Sequence, residues 1–381
     1  MYCFAHHHTH SNLASLSASL VYTLNQWFFS QLTEAHLAII FGYALAPLLF
    51  LLLDRALKRG SLNGIIMLTF GSALFITSSH PQCIVIFGLM VIGYILFYSF
   101  FSSDSASFST RLKCSLKLVL LVAFLVFLLT AFWLVPIILN ANPIYYSASF
   151  GYPIEETYWG YTRWSYKNVL DAFILRALES WGYEFVIDVY TDLCLPWIPV
   201  YPLLFVLFSL AYCTIFLRSD WHTIFFAVSG IFSLVFSTGP YFPLGSLFIW
   251  AWFNIPHFSV FRVASRWAMM TAFSHSFLIS VLVCLLIDYI KKRRYETFQE
   301  FYFGVKTKQS KGGAVELNFT SNTLNRFLKK LHFSFHYISL VLIILILLSG
   351  FLSSFYFFKE GLQTYTPSKD YLAPFQWIAG K

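Results

Sequence analysis

Long uninterrupted apolar runs dominate this chain, and no other feature constrains its fold as strongly. A bilayer hydrocarbon core about 30 Å thick takes roughly 20 apolar residues in helical form. Nine stretches meet or approach that length: 13–31, 35–53, 63–79, 83–101, 115–139, 196–217, 222–239, 267–290 and 335–357. The third and seventh are short, and Asn25 and Gln26 interrupt the first. The runs are continuous rather than alternating, which disfavours a transmembrane barrel. The sequence therefore predicts an all-α, polytopic helical membrane protein with about nine transmembrane helices and an outer loop subdomain bearing interfacial helices.

Composition narrows the alternatives. Only 11% of the 381 residues are charged and 58% are hydrophobic, against about 25% charged in an ordinary soluble domain. A soluble enzyme, a disordered chain, collagen and a coiled coil are excluded on that ground. The net charge of +8 reads as cytoplasmic loops rather than a nucleic-acid site. Six cysteines without a CxxC pair argue against a disulfide framework or a thiolate metal centre. Cys83 and Cys194 alone fall on the outer side, where nothing requires them to pair.

Basic residues orient the chain. With the N-terminus cytoplasmic, 17 of the 25 Lys and Arg fall on inner loops, ten of them between 291 and 334. That bias predicts an integral cell-membrane protein with the N-terminus inside and the C-terminus outside. No signal peptide is evident at the N-terminus, so the first span is expected to act as its own insertion signal. The sequon at Asn318 falls on the inner side and is expected to stay unmodified. The reading divides into a polar His-rich tail over 1–12, a transmembrane domain over 13–357 and an outer segment over 358–381. The domain includes an outer loop (140–195), an outer re-entrant segment (240–266) and a basic cytoplasmic loop (291–334).

The few polar residues carry the functional information, because charge in lipid is tolerated only where protein or water satisfies it. Loop 140–195 holds seven of the 17 acids and a run of Tyr and Trp. Within it, 168–181 reads as an interfacial helix with Asn168 and Asp171 at its start. It either rests on headgroups or forms an acceptor site. In 240–266 an aromatic segment between Pro243 and Pro256 is too short to span. It delivers Arg262 and Arg266, four apart, to the outer mouth of the eighth span. Paired guanidiniums suit a phosphate or pyrophosphate, and headgroup anchoring or pairing with the acidic loop are the alternatives. Glu34 and His36 lie in one outer turn and His80 in another, and with the arginines they make a candidate outer polar pocket. The alternative for each histidine is a structural hydrogen bond.

Other positions weigh less. His6, His7, His8 and His10 read chiefly as a polar tail, with metal chelation the lesser reading, so no metal ligand is assigned. His275, flanked by Ser274 and Ser276 inside the eighth span, is a functional suspect by depth, although neighbouring hydroxyls suffice for a neutral imidazole. Pro47, Pro136, Pro199 and Pro202 are expected to kink or cap outer helix halves. Phosphate-loop, dinucleotide, HExxH and GxSxG patterns do not occur.

Several ordered segments resemble the polytopic GT-C superfamily of membrane glycosyltransferases, especially its YfhO-like and archaeal members. They are Leu16–Tyr22 with Asn25, Ala35-His36 leading to Ala46-Pro47-Leu48-Leu49, Ser79-His80-Pro81-Gln82, Phe132–Pro136 and Ser237–Pro240. The most specific is Ile255-Pro256-His257-Phe258 followed by Phe261–Trp267. The likeness covers roughly 14–290 and, weakly, 365–378. It implies a protein that handles a polyprenyl-phosphate-linked sugar at the outer face. Arg262 and Arg266 would hold the donor phosphate, while His36 and His80 orient it.

The resemblance also implies an outer carboxylate in the first large outer loop, acting with or without a divalent metal. This chain offers only Glu34 near the corresponding place, so the catalytic residue and the cofactor stay unassigned. The likeness predicts a chain lacking the family's first span and catalytic loop. The alternatives are a noncatalytic subunit with a companion membrane chain, or a lipid or solute transporter or flippase. Membrane lipids are the expected surroundings, and nucleic acid is not an expected partner.

Overall fold

The computed structural model describes residues 1–33, 36–102, 107–139, 165–175, 201–218, 220–255, 258–261 and 263–303. Regular structure among them is entirely helical. Short helices α1 (Tyr2–Thr9), α2 (Asn12–Thr23) and α3 (Gln26–Thr33) lead into α4 (Leu37–Arg59), α5 (Leu62–Ser78), α6 (Pro81–Phe101) and α7 (Phe108–Leu139). After α8 (Val169–Phe173) come α9 (Tyr201–Leu217), α10 (Trp221–Ser237) and α11 (Gly245–Asn254). Two 3-10 turns, Phe258–Phe261 and Ala264–Trp267, precede the long α12 (Ala268–Phe303).

Among the described residues, four segments are long and apolar enough to cross a membrane: Leu37–Arg59, Pro81–Phe101, Phe108–Phe132 and Ala264–Lys291. Leu62–Ser78, Pro202–Leu217 and Trp221–Ser237 are apolar but shorter. Seven of the nine predicted runs thus contain a helix, and 335–357 lies outside the described residues. The run 13–31 is not one span. Asn25 breaks it, because its Oδ1 accepts from Phe28 N at 2.9 Å while Nδ2 donates to Tyr22 O at 2.8 Å and Tyr43 Oη at 3.0 Å. An amide that satisfies the end of one helix and the start of the next replaces a continuous ladder. The count of nine is therefore not reproduced among the described residues.

α12 forms the axis of the bundle. It packs most extensively on α10 and α2, and also on α9. In its apolar stretch 78% of residues are buried, against 22% for α7, so α7 lies at the periphery. Small and hydroxylic residues allow this central position. Ser276 and Ser280 donate back to Ala272 O and Phe277 O, which satisfies them without a partner helix. Ser233 on α10 and Thr271 on α12 meet at 3.1 Å. Around them Phe4, Phe50, Phe226, Phe273 and Phe277 interlock edge to face and tilted, with centroids 4.5–6.0 Å apart where they touch.

Phe4 shows that the N-terminal segment is not a polar tail. It is 1% exposed, and α1 packs on α2, α4 and α12. Phe4 and Ala5 supply the apolar contact that a reading centred on the four histidines overlooked. The loop reading of 291–334 also changes at its start, since α12 runs on to Phe303.

The predicted interfacial helix is shorter and deeper than expected. Asn168 caps it, its Oδ1 accepting from Leu170 N at 2.8 Å, but the helical residues are 169–173. Tyr166 is 1% exposed and Leu175 fully buried; Tyr166 N donates to Ser237 O and Trp27 N to Leu175 O. Residues 165–175 therefore dock against the bundle through Tyr166, Ala172 and Leu175 and leave Leu170 exposed, while 176–181 fall outside the described residues. The aromatic segment before Pro256 is the ten-residue α11, about 15 Å long and too short to span, as expected.

Candidate functional site

Polar side chains gather at two ends of the bundle. The first end collects the starts of α4, α6 and α12. His80 N donates to Ala38 O, which ties the α6 turn to the first turn of α4. The His80 ring serves as the N-cap of α6, its Nδ1 accepting from Gln82 N at 3.2 Å. Arg266, in the 3-10 turn that opens α12, places Nη1 3.1 Å from both His80 ring nitrogens and donates to Gln82 Oε1 at 2.9 Å. Gln82 Nε2 in turn donates to Val263 O at 2.8 Å, so one amide fixes both the guanidinium and the turn that carries it. Arg266 is 7% exposed. A buried guanidinium held in one orientation by neighbouring acceptors is suited to directed recognition of an oxyanion.

Of the predicted pocket residues, this geometry joins His80 and Arg266. His36 lies at the start of α4, its Nδ1 3.1 Å from Gln31 Oε1, and its own helix touches the His80 turn. Glu34 and Arg262 lie outside the described residues. The four-residue spacing of the arginines does not by itself put them on one α-helical face, because 264–267 is a 3-10 turn. Gln82 was quoted only as part of a motif, yet it organises the cluster.

His275 is fully buried, but its surroundings are those of a core residue. Nδ1 lies 2.7 Å from Thr271 O on its own helix, and Phe173, Phe208 and Tyr212 surround the ring. Cys83 is buried as a free thiol.

The opposite end holds a cluster that sequence reasoning missed. Asp54, near the end of α4, is 0% exposed and accepts from four side chains. Oδ2 faces His7 Nε2 at 3.0 Å and Lys58 Nζ at 2.9 Å; Oδ1 faces Tyr94 Oη at 2.9 Å and His222 Nε2 at 3.3 Å. His8 lies beside His222 with ring centroids 4.4 Å apart. Burial, and next the charge of His222, push the His8 imidazole well below its ordinary range and so favour the neutral ring. Asp220 caps α10 through Thr223 N at 3.1 Å and pairs with Arg218 at 2.7 Å. Burial would raise its carboxyl, but bonds from His222 and Thr223 hold it below the usual carboxylate range.

Hydropathy ended the second apolar run at 53 because Asp54, Arg55, Lys58 and Arg59 follow, whereas the helix continues to Arg59. The i,i+4 spacing of Asp54 and Lys58 was the one local signal available. Among the described residues, His8, Asp54 and His222 form a group with metal-ligand atoms all within 4.8 Å of one another. Compared with known proteins, the chain matches no family model, no curated protein and no solved structure.

Proposed function

We propose that this chain is an integral membrane protein of the cell envelope that recognises the phosphate of a polyprenyl-phosphate-linked sugar at its outer end, with Arg266 as the phosphate ligand. In this reading the N-terminus is cytoplasmic, the C-terminus lies outside and the span count approaches nine. The observation that carries it is Arg266. A cation 7% exposed stands at the mouth of the most buried helix, braced by His80 and Gln82 from the next element. Asp54 and His222 lie at the other end of the bundle, beside Lys58 in the last turn of α4 and Arg218 just after α9, the end that the charge bias makes cytoplasmic in this reading. The resemblance to GT-C proteins supplies the substrate class. Sugar and acceptor are left open, and no catalytic acid is assigned.

Sugar transfer from a radiolabelled polyprenyl-phosphate hexose, in vesicles containing the overproduced protein, tests this. Arg266→Ala is expected to lower transfer at least tenfold, with Arg266→Lys intermediate because a point charge replaces the planar fork. Undiminished transfer in Arg266→Ala removes the phosphate role. Transfer that appears only when a second membrane chain co-purifies assigns this polypeptide to a larger enzyme.

A further inference from the structure

We propose that His8, Asp54 and His222 form a binding site for a divalent metal ion of the zinc class, at the end of the bundle opposite Arg266. Two imidazoles and a carboxylate are the donor set that borderline cations such as Zn²⁺ and Co²⁺ accept, and three protein ligands leave one position for water. Metal–ligand bonds of about 2.0–2.1 Å in a tetrahedron separate donor atoms by about 3.3 Å. His222 Nε2 and Asp54 Oδ1 are 3.3 Å apart, so that edge is already in place. All three donors lie within 4.8 Å of one another.

A second observation points to a ligand. His8 Nε2 is buried and has no hydrogen-bond partner among the described residues, which is costly for an imidazole nitrogen unless something binds it. The surroundings fit a support role. Tyr94 donates to Oδ1 and His7 to Oδ2 of the ligand carboxylate, as outer partners of metal ligands do. Lys58 shares Oδ2 at 2.9 Å, and its side chain is 39% exposed, so it can swing to water when a cation takes the carboxylate. The ligands come from α1, α4 and α10, so the ion would pin the N-terminal helix onto the bundle.

The histidine run contains its own rival. His6 on α1 and His10 at its C-cap are four positions apart with ring centroids 6.4 Å apart, and they flank His7 and His8 in the chain. The test therefore uses full-length protein in detergent, purified by a tag without histidine and titrated with Co²⁺. We expect one Co²⁺ per chain with visible d–d absorption, lost in Asp54→Asn and in His8→Ala, and unchanged in the double variant His6→Ala/His10→Ala. His222→Cys keeps a ligand, so its Co²⁺ complex is expected to gain a thiolate-to-cobalt charge-transfer band even where alanine variants fold poorly. Absence of stoichiometric Co²⁺ in the parent protein overturns the proposal. So does a site abolished by His6→Ala/His10→Ala, or a folded His222→Cys protein without the charge-transfer band.

Discussion

Gln82 Oε1 and Arg266 Nη1 are 2.9 Å apart, although 184 positions separate the two residues in the chain. The other end of the same amide holds Val263 O. Gln82→Leu would strip a buried guanidinium of one acceptor and a carbonyl of its donor. Leaving such groups unsatisfied costs about 1–3 kcal/mol. A lowered unfolding midpoint in detergent is expected, and a midpoint equal to that of the parent protein contradicts the bracing role.

Tyr94 donates to a fully buried carboxylate, and hydrogen bonds to charged groups contribute about 1.5–3 kcal/mol. Tyr94→Phe is expected to destabilise by that order. In an Asp54→Leu background the same change should be close to neutral, since the acceptor is gone. A double-mutant cycle of unfolding midpoints measures the coupling, and additive effects would show that the hydroxyl acts elsewhere.

Phe4 gives the N-terminal helix a measurable weight. Truncating a buried Phe costs about 3–5 kcal/mol, and Phe4 touches Phe226, Phe273 and Phe277. Phe4→Ala should therefore lower the midpoint strongly. A solvated tail would leave it unchanged.

Glycines on two faces make a matched pair. A methyl group at Gly230 would collide with the Tyr212 hydroxyl and come within 2.9 Å of Ser274 Cβ, so Gly230→Ala overpacks the α9, α10 and α12 junction by about 1–3 kcal/mol. Among the described residues nothing lies within 4 Å of a carbon added at Gly88, and Gly88→Ala should be neutral or gain up to about 1 kcal/mol from helix propensity. Opposite signs in parallel melts are the expected result.

Topology is testable at Cys3, an exposed free thiol on α1. In a variant that keeps Cys3 as its only cysteine, a membrane-impermeant maleimide should label inside-out vesicles and spare right-side-out ones. Labelling from the outer face reverses the orientation.

Helical class, the seven apolar helices and the short α11 were legible in the sequence, because each follows from hydropathy over neighbouring positions. So was the presence of His80 and Arg266 at helix starts, where turn chemistry and Pro81 mark the boundary. The break at Asn25 was visible only as a weakness. Its consequence depends on Tyr43, which lies 18 positions away and accepts from the same amide.

By itself the sequence determined that this chain forms apolar helices, because hydropathy accumulates along one dimension. Only the tertiary structure decided which polar groups meet. In a hydropathy profile Asp54 registers only as the end of an apolar run, and a histidine run looks solvated until Phe4 is seen to bury the helix that carries it. Packing brought Asp54 to His222 across 168 positions. Burial then made partners obligatory, since a carboxylate cut off from water must find its donors within the protein.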